Sequence, residues 1–482
     1  MRAPRGWTER KALRITFIEP APPGFHIYSF IKQVRLGLPL MATLLRDLGH
    51  DVRVCVEALG VIDWGRVLSS EVVGISTTTS TAIRAYQYSE RVREAGIPVV
   101  MGGPHVTFET AEALEFCDYV VRGEGEDTIL ELVDFFEGRR DIASILGLSY
   151  HDCDGGQVHN EGRPLRAEIS DLPLPDLTLI DRYQKIRPLP LLTSRGCPHD
   201  CEFCSVIMMF GRRVRRVDNE CVLRTLEQMG DNEVFFYDDN FIMSKPRTKA
   251  LLAEMIRRRL PITFTAQIRV DSICRHGKVD HELLQLLKGA GCYMVYLGLE
   301  SASQEVLDAF NKQVQLSDME KGLAALTSYG ILTHGMFVIG ADNDTPVSIN
   351  ETVDWAIVNE ITSVQFLVIT PLPGTRQYDA YQREGRIFSH NWTLYDGHHV
   401  VHLPKHMSPW ELLRATLDSH QRFYRLRRLP KAPKYRAMGF GISHGWERVP
   451  ENMAYMRELR AFSDSLDTSS IINDGVRDLV RS

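Results

Sequence analysis

The chain has 482 residues, room for about three domains on a prior of ~150 residues each, and its formal net charge of -6 gives no global bias toward nucleic acid or an anionic membrane surface. No long uncharged apolar run offers a membrane span, and the basic start Met1 to Lys11 is followed only by the short run Leu13 to Ile18 before Glu19-Pro20, too brief for a signal peptide. Nine cysteines, an odd number with three in one short stretch, suit a reducing compartment better than a disulfide framework, so a cytoplasmic protein without a nucleic-acid partner is expected.

From Arg14 short apolar runs alternate with helical patterns. Strands are expected at Ile15 to Ile18, Val52 to Val56, Val72 to Ser76, Pro98 to Met101 and Tyr119 to Val121. Helices are expected at about Leu38 to Leu48, Ile83 to Glu94, Thr110 to Phe116 and Asp127 to Glu137. That beat predicts an α/β domain with a Rossmann-like parallel sheet, whose ligands sit at the carboxyl ends of the strands. The loops there are Glu19 to Gly24, Ser76 to Thr79, Gly102 to His105 and Arg122 to Glu126. Glycines and hydroxyls at such turns let the backbone come close to a ligand. Asp152 to Asp181 is rich in turns and proline and reads as a connection.

Pro188 to Leu192 reads as a strand running into Ser194-Arg195-Gly196-Cys197-Pro198-His199-Asp200-Cys201-Glu202-Phe203-Cys204, with cysteines at C-x3-C-x2-C spacing. Clustered thiolates suit soft metals. A [4Fe-4S] cluster held by three cysteines keeps one iron open for a small molecule, whereas a structural zinc site needs a fourth protein ligand and is closed. A basic run, Gly211 to Arg216, follows; its arginines either neutralise an anionic cofactor or pair with acidic neighbours. The strand Glu233 to Tyr237 ends in Asp238-Asp239-Asn240, two carboxylates that suit an ammonium better than a core. Strands at Ile262 to Ile268, Tyr293 to Leu299, His334 to Ile339 and Ser363 to Thr370, with helices at about Asn219 to Met229, His281 to Ala290, Gln304 to Ala309, Ser317 to Tyr329 and Val347 to Asn359, complete six strand-helix units, fewer than the eight of a closed barrel. After Arg376 the chain turns helical, with an amphipathic helix at Trp410 to Leu426. Basic residues Arg427, Arg428, Lys431, Lys434 and Arg436 are interleaved there with Tyr424 and Tyr435, a pattern that is usually solvated but can meet nucleic acid or lipid. His398, His399, His402 and His406 lie just before it, with Pro404 disturbing any helix that would gather them on a metal.

The three-cysteine loop, with an aromatic before its last cysteine and Arg-Gly before its first, resembles that of the radical S-adenosylmethionine (SAM) superfamily. The resemblance implies that Cys197, Cys201 and Cys204 hold a [4Fe-4S] cluster whose open iron chelates the methionine part of SAM, and that reductive cleavage gives a 5′-deoxyadenosyl radical. It implies that Asp238 and Asp239 bind the SAM amino group, Arg269 meets its carboxylate and Glu300 the ribose hydroxyls. Gly340 would let the backbone approach adenine, with Phe203 near the same ring. The barrel would be a partial, TIM-like (β/α)6 barrel whose wide side admits a large substrate. An electron donor such as flavodoxin or ferredoxin is implied as a partner.

The four N-terminal turns, in this order ahead of the cysteine loop, resemble the cobalamin-binding domain found before the radical SAM core in one large subfamily. Cobalamin is then expected at Ser76, Thr77, Gly102, Gly103, Gly123 and Glu124, with His105 near the corrin or, as a lone loop histidine, solvated. The D-x-H-x-x-G motif that supplies a lower axial histidine is absent, and prolines and Gly24 stand where it would fall. The implied layout is a cobalamin-binding-like domain at 1–140, a linker at 141–187, a radical SAM core at 188–375 and a mainly helical region at 376–482. The implied activity is modification of an unactivated carbon by cobalamin-dependent methyl transfer. Radical rearrangement, cyclisation or carbon-carbon coupling is the alternative within the fold, and a zinc-stabilised, non-catalytic interaction protein the alternative outside it. The substrate, whether small molecule, lipid or peptide, is tied to no residue by spacing.

Overall fold

In the computed structural model the described residues are 12–22, 24, 33–425 and 433–466. Met1 to Lys11, Pro23, Arg427, Arg428 and Lys431 lie outside them, and of Lys434 and Arg436 only the backbone is described. The chain divides into two compact units at Pro190 and Leu191, with Met209–Gly211 belonging to the first.

In the first unit β1 (Arg14–Glu19), β2 (Asp51–Val56), β3 (Val72–Ser76), β4 (Val99–Gly102) and β5 (Tyr119–Val121) form a parallel sheet in the order β2-β1-β3-β4-β5. The strands are short apolar runs buried on both faces, as parallel strands under helices must be. Phe17 on β1 reaches the centre of the core because its neighbour on β3 is Gly74: a β-carbon there would stand 2.4 Å from the ring. The strand order reverses between β1 and β3, the point at which such sheets open a crevice beyond the carboxyl ends.

The stretch expected as a linker belongs to this unit. β6 (Leu148–His151) pairs antiparallel with β5, and β7 (Gln157–His159) pairs antiparallel with β6. Further on, the Asp176 amide donates to Thr43, its carboxylate pairs with Arg46, and Ile180 bridges to Val54 on the free edge of β2. Strands of three and four residues around a Gly-Gly turn are too short to stand out from turn-rich sequence.

In the second unit β8 (Leu189–Leu191), β9 (Glu233–Phe236), β10 (Thr263–Ile268), β11 (Cys292–Glu300), β12 (Leu332–Ile339) and β13 (Ser363–Val368) lie in the order β13-β12-β11-β10-β9-β8, with β9 to β13 parallel. The helices Asn219–Met229, His281–Gly289, Gln304–Ala309, Leu316–Ser328 and Pro346–Val358 fall where the apolar period placed them. One more, Lys245–Arg257, starts on a proline in its first turn and buries Leu251, Leu252 and Met255; its cationic face hides that stripe in the sequence. Six strands leave an open edge, as expected, but the β13 edge is covered. Helix Pro409–Phe423 lies along it. The Tyr424 hydroxyl accepts from the Val364 amide at 2.7 Å and donates to its carbonyl at 2.6 Å, and His420 Nε2 accepts from the Phe366 amide at 3.0 Å. Exposed strand edges have to be paired or covered, and side chains do it here. Tyr424 is therefore turned inward, away from any nucleic acid or lipid.

Candidate functional site

β8 ends by delivering Thr193 and Ser194 to Asp238, which is fully buried at the end of β9. The Asp238 carboxylate accepts from the Thr193 amide at 3.1 Å, from the Thr193 hydroxyl at 2.9 Å and from the Ser194 hydroxyl. Arg247 closes the frame, donating to the Val217 carbonyl at 2.7 Å and to Thr193 Oγ1 at 3.3 Å. The loop that follows carries Cys197, Cys201 and Cys204, close enough to act on one another electrostatically. Burial pushes all three thiols above their ordinary range, Cys204 to about 12. Burial disfavours the thiolate form in this loop despite Arg269 and Lys312 beside Cys201, and a bound metal cluster would supply the further positive charge that thiolates need.

The second carboxylate points elsewhere. Asp239 keeps open surface and acts on Cys197 and Cys204, while the protein around it and then Asp238 push its carboxyl up to about 6. Asp239 is thus an accessible carboxyl beside the cysteines. Of the pair expected to hold an ammonium, Asp239 is open to a ligand and Asp238 is committed to the loop.

Cys201 is flanked by a charged constellation that sequence reasoning found only in part. β11 bulges between Gly298 and Glu300, and Glu300 takes a left-handed φ of 63°, unusual for a residue with a side chain. Its carboxylate pairs with Lys312, both side chains being buried. Gly298 makes room for the pair, since a β-carbon there would fall 2.7 Å from Glu300 Oε1 and 3.0 Å from Lys312 Nζ. The turn bearing Lys312 is itself left-handed at Asn311 and Gln313, with φ of 53° and 56°. It docks on the cysteine loop: the Asn311 side chain donates from Nδ2 to the Asp200 carbonyl at 3.1 Å, and Phe310 packs edge-on against Phe203 at 5.0 Å. Backbone strain of this kind gathers where the surroundings over-determine a site. Nothing in the spacing of Asn311 and Lys312 announces them.

Arg269 stands beside the same thiol, but its guanidinium is engaged, with Asp271 at 3.0 Å and the Lys312 carbonyl at 2.6 Å. It therefore frames the site, and Lys312 is the cation that, among the described residues, pairs with Glu300 alone. Gly340, with φ of 96°, has its open side filled by Leu412, 2.7 Å from where a β-carbon would be. Its missing side chain thus admits a helix residue. Phe203 packs with Val338, Val306, Ala341 and Ile369 around the end of β12. Of the basic run, Arg212 pairs with Asp200 at 2.6 Å, and Arg376 meets the same carboxylate at 2.9 Å.

The four histidines near residue 400 do not assemble. His399 Nδ1 bonds Asp396 at 3.0 Å, and His402 is fully buried against Tyr381. Among the described residues no three His, Cys, Asp or Glu side chains converge as one metal ion needs; a cubane instead takes each thiolate on its own iron corner.

In the first unit the expected turns hold each other. Thr77 is fully buried, its amide and hydroxyl donating to the Gly102 carbonyl at 2.8 and 3.1 Å. Gly103, with φ of 103°, lies against the Thr77 backbone, where a β-carbon would stand 2.4 Å from its oxygen. The Gly123 amide donates to Thr107 at 3.0 Å, Glu124 is buried, and Ser76 is half-buried at the end of β3. His105 is a core residue, buried and bonded to the Tyr86 hydroxyl at 3.1 Å, so it is not the solvated loop histidine of the second expectation. Among the described residues, two polar side chains that the sequence did not single out carry orphan atoms near the end of β1. Glu19 ends β1 buried, with Oε2 unpartnered and its carboxyl raised by burial; Arg35 acts on it, donates to Thr78 Oγ1 at 3.3 Å and leaves Nη1 unpartnered. Buried orphan atoms at the strand-order reversal fit a polar-rimmed ligand such as cobalamin.

The family description Radical SAM superfamily matches residues 191–356, and B12 binding domain matches residues 33–133. An uncharacterized methyltransferase of Pyrococcus horikoshii is 32% identical over 410 residues, covering 81% of this chain and 87% of that protein. The bacteriochlorophyllide d C-12(1)-methyltransferase of Chlorobaculum tepidum is 27% identical, covering 74% and 75% of the two chains. Among solved structures, the radical SAM methyltransferase TsrM of Kitasatospora setae, with cobalamin and a [4Fe-4S] cluster bound, aligns with a TM-score of 0.63 at 22% identity over 78% of this chain and 75% of that one, a likeness of fold.

Proposed function

Because this chain belongs to the radical SAM superfamily, in the branch that carries a B12-binding domain, we propose that Asp239, Glu300 and Lys312 hold SAM over a cluster bound by Cys197, Cys201 and Cys204. The protein is a radical SAM enzyme, a cobalamin-dependent methyltransferase acting on an unactivated carbon, with a [4Fe-4S] cluster, SAM and cobalamin as its cofactors. When bound, these groups supply an electron, a carbon-centred radical and a methyl group.

The residues divide the remaining work. Asp239 accepts from the methionine ammonium, and Lys312 donates to the carboxylate, in charge-assisted bonds about twice as strong as neutral ones. Glu300, released from Lys312, accepts from the ribose hydroxyls, and Phe203 with Val338 and Ile369 offers adenine an apolar face. Asp238 and Arg247 fix the strand end from which the cysteine loop springs. In the first unit Ser76, Thr77, Gly102, Gly103, Gly123 and Glu124 shape the crevice, and Glu19 and Arg35 give it polar contacts. The methyl acceptor is a large ring-bearing molecule, in keeping with the bacteriochlorophyllide named for one relative. The electron comes from a flavodoxin- or ferredoxin-type carrier in a reducing compartment; among the described residues no helix is long and apolar enough to cross a membrane.

One observation carries this assignment: the Glu300–Lys312 pair, on strained backbone, lies beside the middle cysteine of the loop. Anaerobic reconstitution tests it. The reading expects four irons per chain, cobalamin uptake and, on reduction, 5′-deoxyadenosine from SAM; a colourless protein binding one zinc ion contradicts it.

A further inference from the structure

Beyond β10 and the turn that carries Arg269 and Asp271, the chain forms a small hairpin in which Cys274–Arg275 pairs antiparallel with Lys278–Val279. Its connection is two residues long, His276 and Gly277, both left-handed with φ of 52° and 74°. A turn of that hand matches the twist of the strands it joins. Asp318, buried beneath it, holds it in place: the carboxylate accepts from the His276 amide at 2.8 Å and from the Gly277 amide at 2.7 Å.

This anchored turn presents positive charge. Arg275, His276 and Lys278 are exposed, and Arg275 and Lys278 stand directly opposite each other across the strands. Lys321, on the helix Leu316–Ser328, joins them, its Nζ 3.2 Å from where a β-carbon on Gly277 would be. Among the described residues, Arg275, Lys278 and Lys321 pair with no carboxylate. Like charges facing each other across a hairpin weaken it, so stability does not account for them.

The neighbouring charges are matched. Asp280 and Glu282, at the base of the hairpin, pair with Lys245 and Lys249. At the cysteine loop Arg212 and Arg376 meet Asp200, and Arg376 also meets Glu202 at 3.3 Å. The unmatched hairpin lies close enough to that loop for Arg275 to act on His199, between Cys197 and Cys201.

Cations on an exposed turn enclose no small ligand. They suit a partner that brings its own carboxylates, steering its approach and fixing its orientation. A nucleic-acid surface follows a backbone over many phosphates and stacks bases on aromatic rings, for which this turn is too small.

We propose that Arg275, Lys278 and Lys321, with His276 at the tip, form the docking surface for the reductant, a small acidic redox protein that delivers its electron beside the cysteine loop. The proposal rests on the function given above. In the transfer the carrier loses one electron and the cluster gains it; no bond forms or breaks.

Titration of the reconstituted holoenzyme with two acidic carriers, purified flavodoxin and a bacterial ferredoxin, tests the surface. Wild-type protein is expected to bind at least one of them, and about tenfold more weakly in about 200 mM salt than in about 20 mM. Reversing two charges, in Arg275→Glu with Lys278→Glu, should weaken binding about tenfold. The control is Arg257→Glu with Arg259→Glu, which changes net charge equally. Helix Lys245–Arg257 begins near the hairpin, where Lys245 acts on Cys274, and Arg257 lies about 18 Å along it. The control should weaken binding less than about twofold. Iron content, SAM affinity and the 5′-deoxyadenosine formed with dithionite, a reductant that needs no docking, should match wild type in both. If the double reversal itself lowers iron content, Arg275→Gln with Lys278→Gln takes its place, with about threefold weaker binding expected. Failure to bind either carrier, equal losses in reversal and control, or an RNA oligonucleotide held more tightly than either carrier and released by the reversal overturns the proposal. A wild-type protein without cluster and SAM defeats the assigned function and this surface with it, whereas full iron and SAM with carrier affinity unchanged in the hairpin variants defeats the surface alone.

Discussion

Asp238 and Asp239 are adjacent in sequence and opposite in task, and substitution separates them. Asp238→Asn removes the charge on which the Thr193 and Ser194 hydroxyls and the Thr193 amide converge, at a cost of about 1–3 kcal/mol. It should lower iron content after reconstitution, because the cysteine loop loses its anchor. Asp239→Asn should keep the iron and weaken SAM binding by titration; equal iron loss in both variants would contradict the division. Lys312 has a sharper test. Wild-type protein is expected to bind SAM more tightly than decarboxylated SAM, and Lys312→Met to show a clearly smaller preference, because one of the two cationic centres that tell them apart, the other being the open iron, is gone. The comparison of two ligands cancels the effect of leaving Glu300 unpaired in a buried place. An undiminished preference for SAM in Lys312→Met would mean that Lys312 does not meet the carboxylate. The cysteines, Asp239 and Glu300 were legible because unusual residue types stand at strand ends. Lys312, Asn311, Glu19 and Arg35 were not: they are ordinary polar residues whose importance comes from long-range contact alone.

At the level of elements, apolar period two or 3.6 bounded by turn residues was enough to place nearly every strand and helix of both sheets within a residue or two. The misses have two causes. β6 and β7 are too short to show a period, and helix Lys245–Arg257 hides its apolar stripe under cations. The covered β13 edge was invisible because the contact runs from Tyr424 and His420 to strand residues 60 and 54 positions earlier. That cover makes stability depend on pH. Burial depresses His334 to about 4 and His402 and His420 to about 3, while an unfolded histidine titrates near about 6.5. Below 6.5 the unfolded chain holds protons that the folded chain refuses. Stability is thus complete above that pH and falls below it by about 1.4 kcal/mol per pH unit for each histidine, until its folded pKa is reached. His420 Nε2 is an acceptor, so protonation there also removes the bond from Phe366. The melting temperature should drop between pH 7 and pH 5, and less so in His420→Gln, whose carbonyl accepts without titrating. A wild-type melting temperature equal at the two pH values would contradict this account. Tyr424→Phe should cost about 1–3 kcal/mol at any pH, since it leaves a buried amide and carbonyl of Val364 unpaired.

For the whole molecule, the pairing of a B12-binding unit with a radical SAM unit was readable from the order of loops, because each unit binds its ligand at strand ends that carry recognisable residues. The crevice of the first unit took its meaning from structure. Gly103 packs against the Thr77 backbone, so a bulky residue there would break two turns as well as crowd a ligand. His105 is held in the core by Tyr86, so no histidine among the crevice residues named here can reach cobalt. Bound cob(II)alamin should therefore show no nitrogen splitting from its lower face in electron paramagnetic resonance; a split signal would require an axial ligand from elsewhere. The most direct test of the central claim is reduction of the reconstituted holoenzyme with SAM carrying a deuterated methyl group, in the presence of cell extract from its host. The account predicts that the intact labelled methyl appears on carbon in a product, in step with 5′-deoxyadenosine, and that Cys201→Ala yields neither. Steady formation of 5′-deoxyadenosine by cobalamin-loaded protein, with no label in any product, would contradict it.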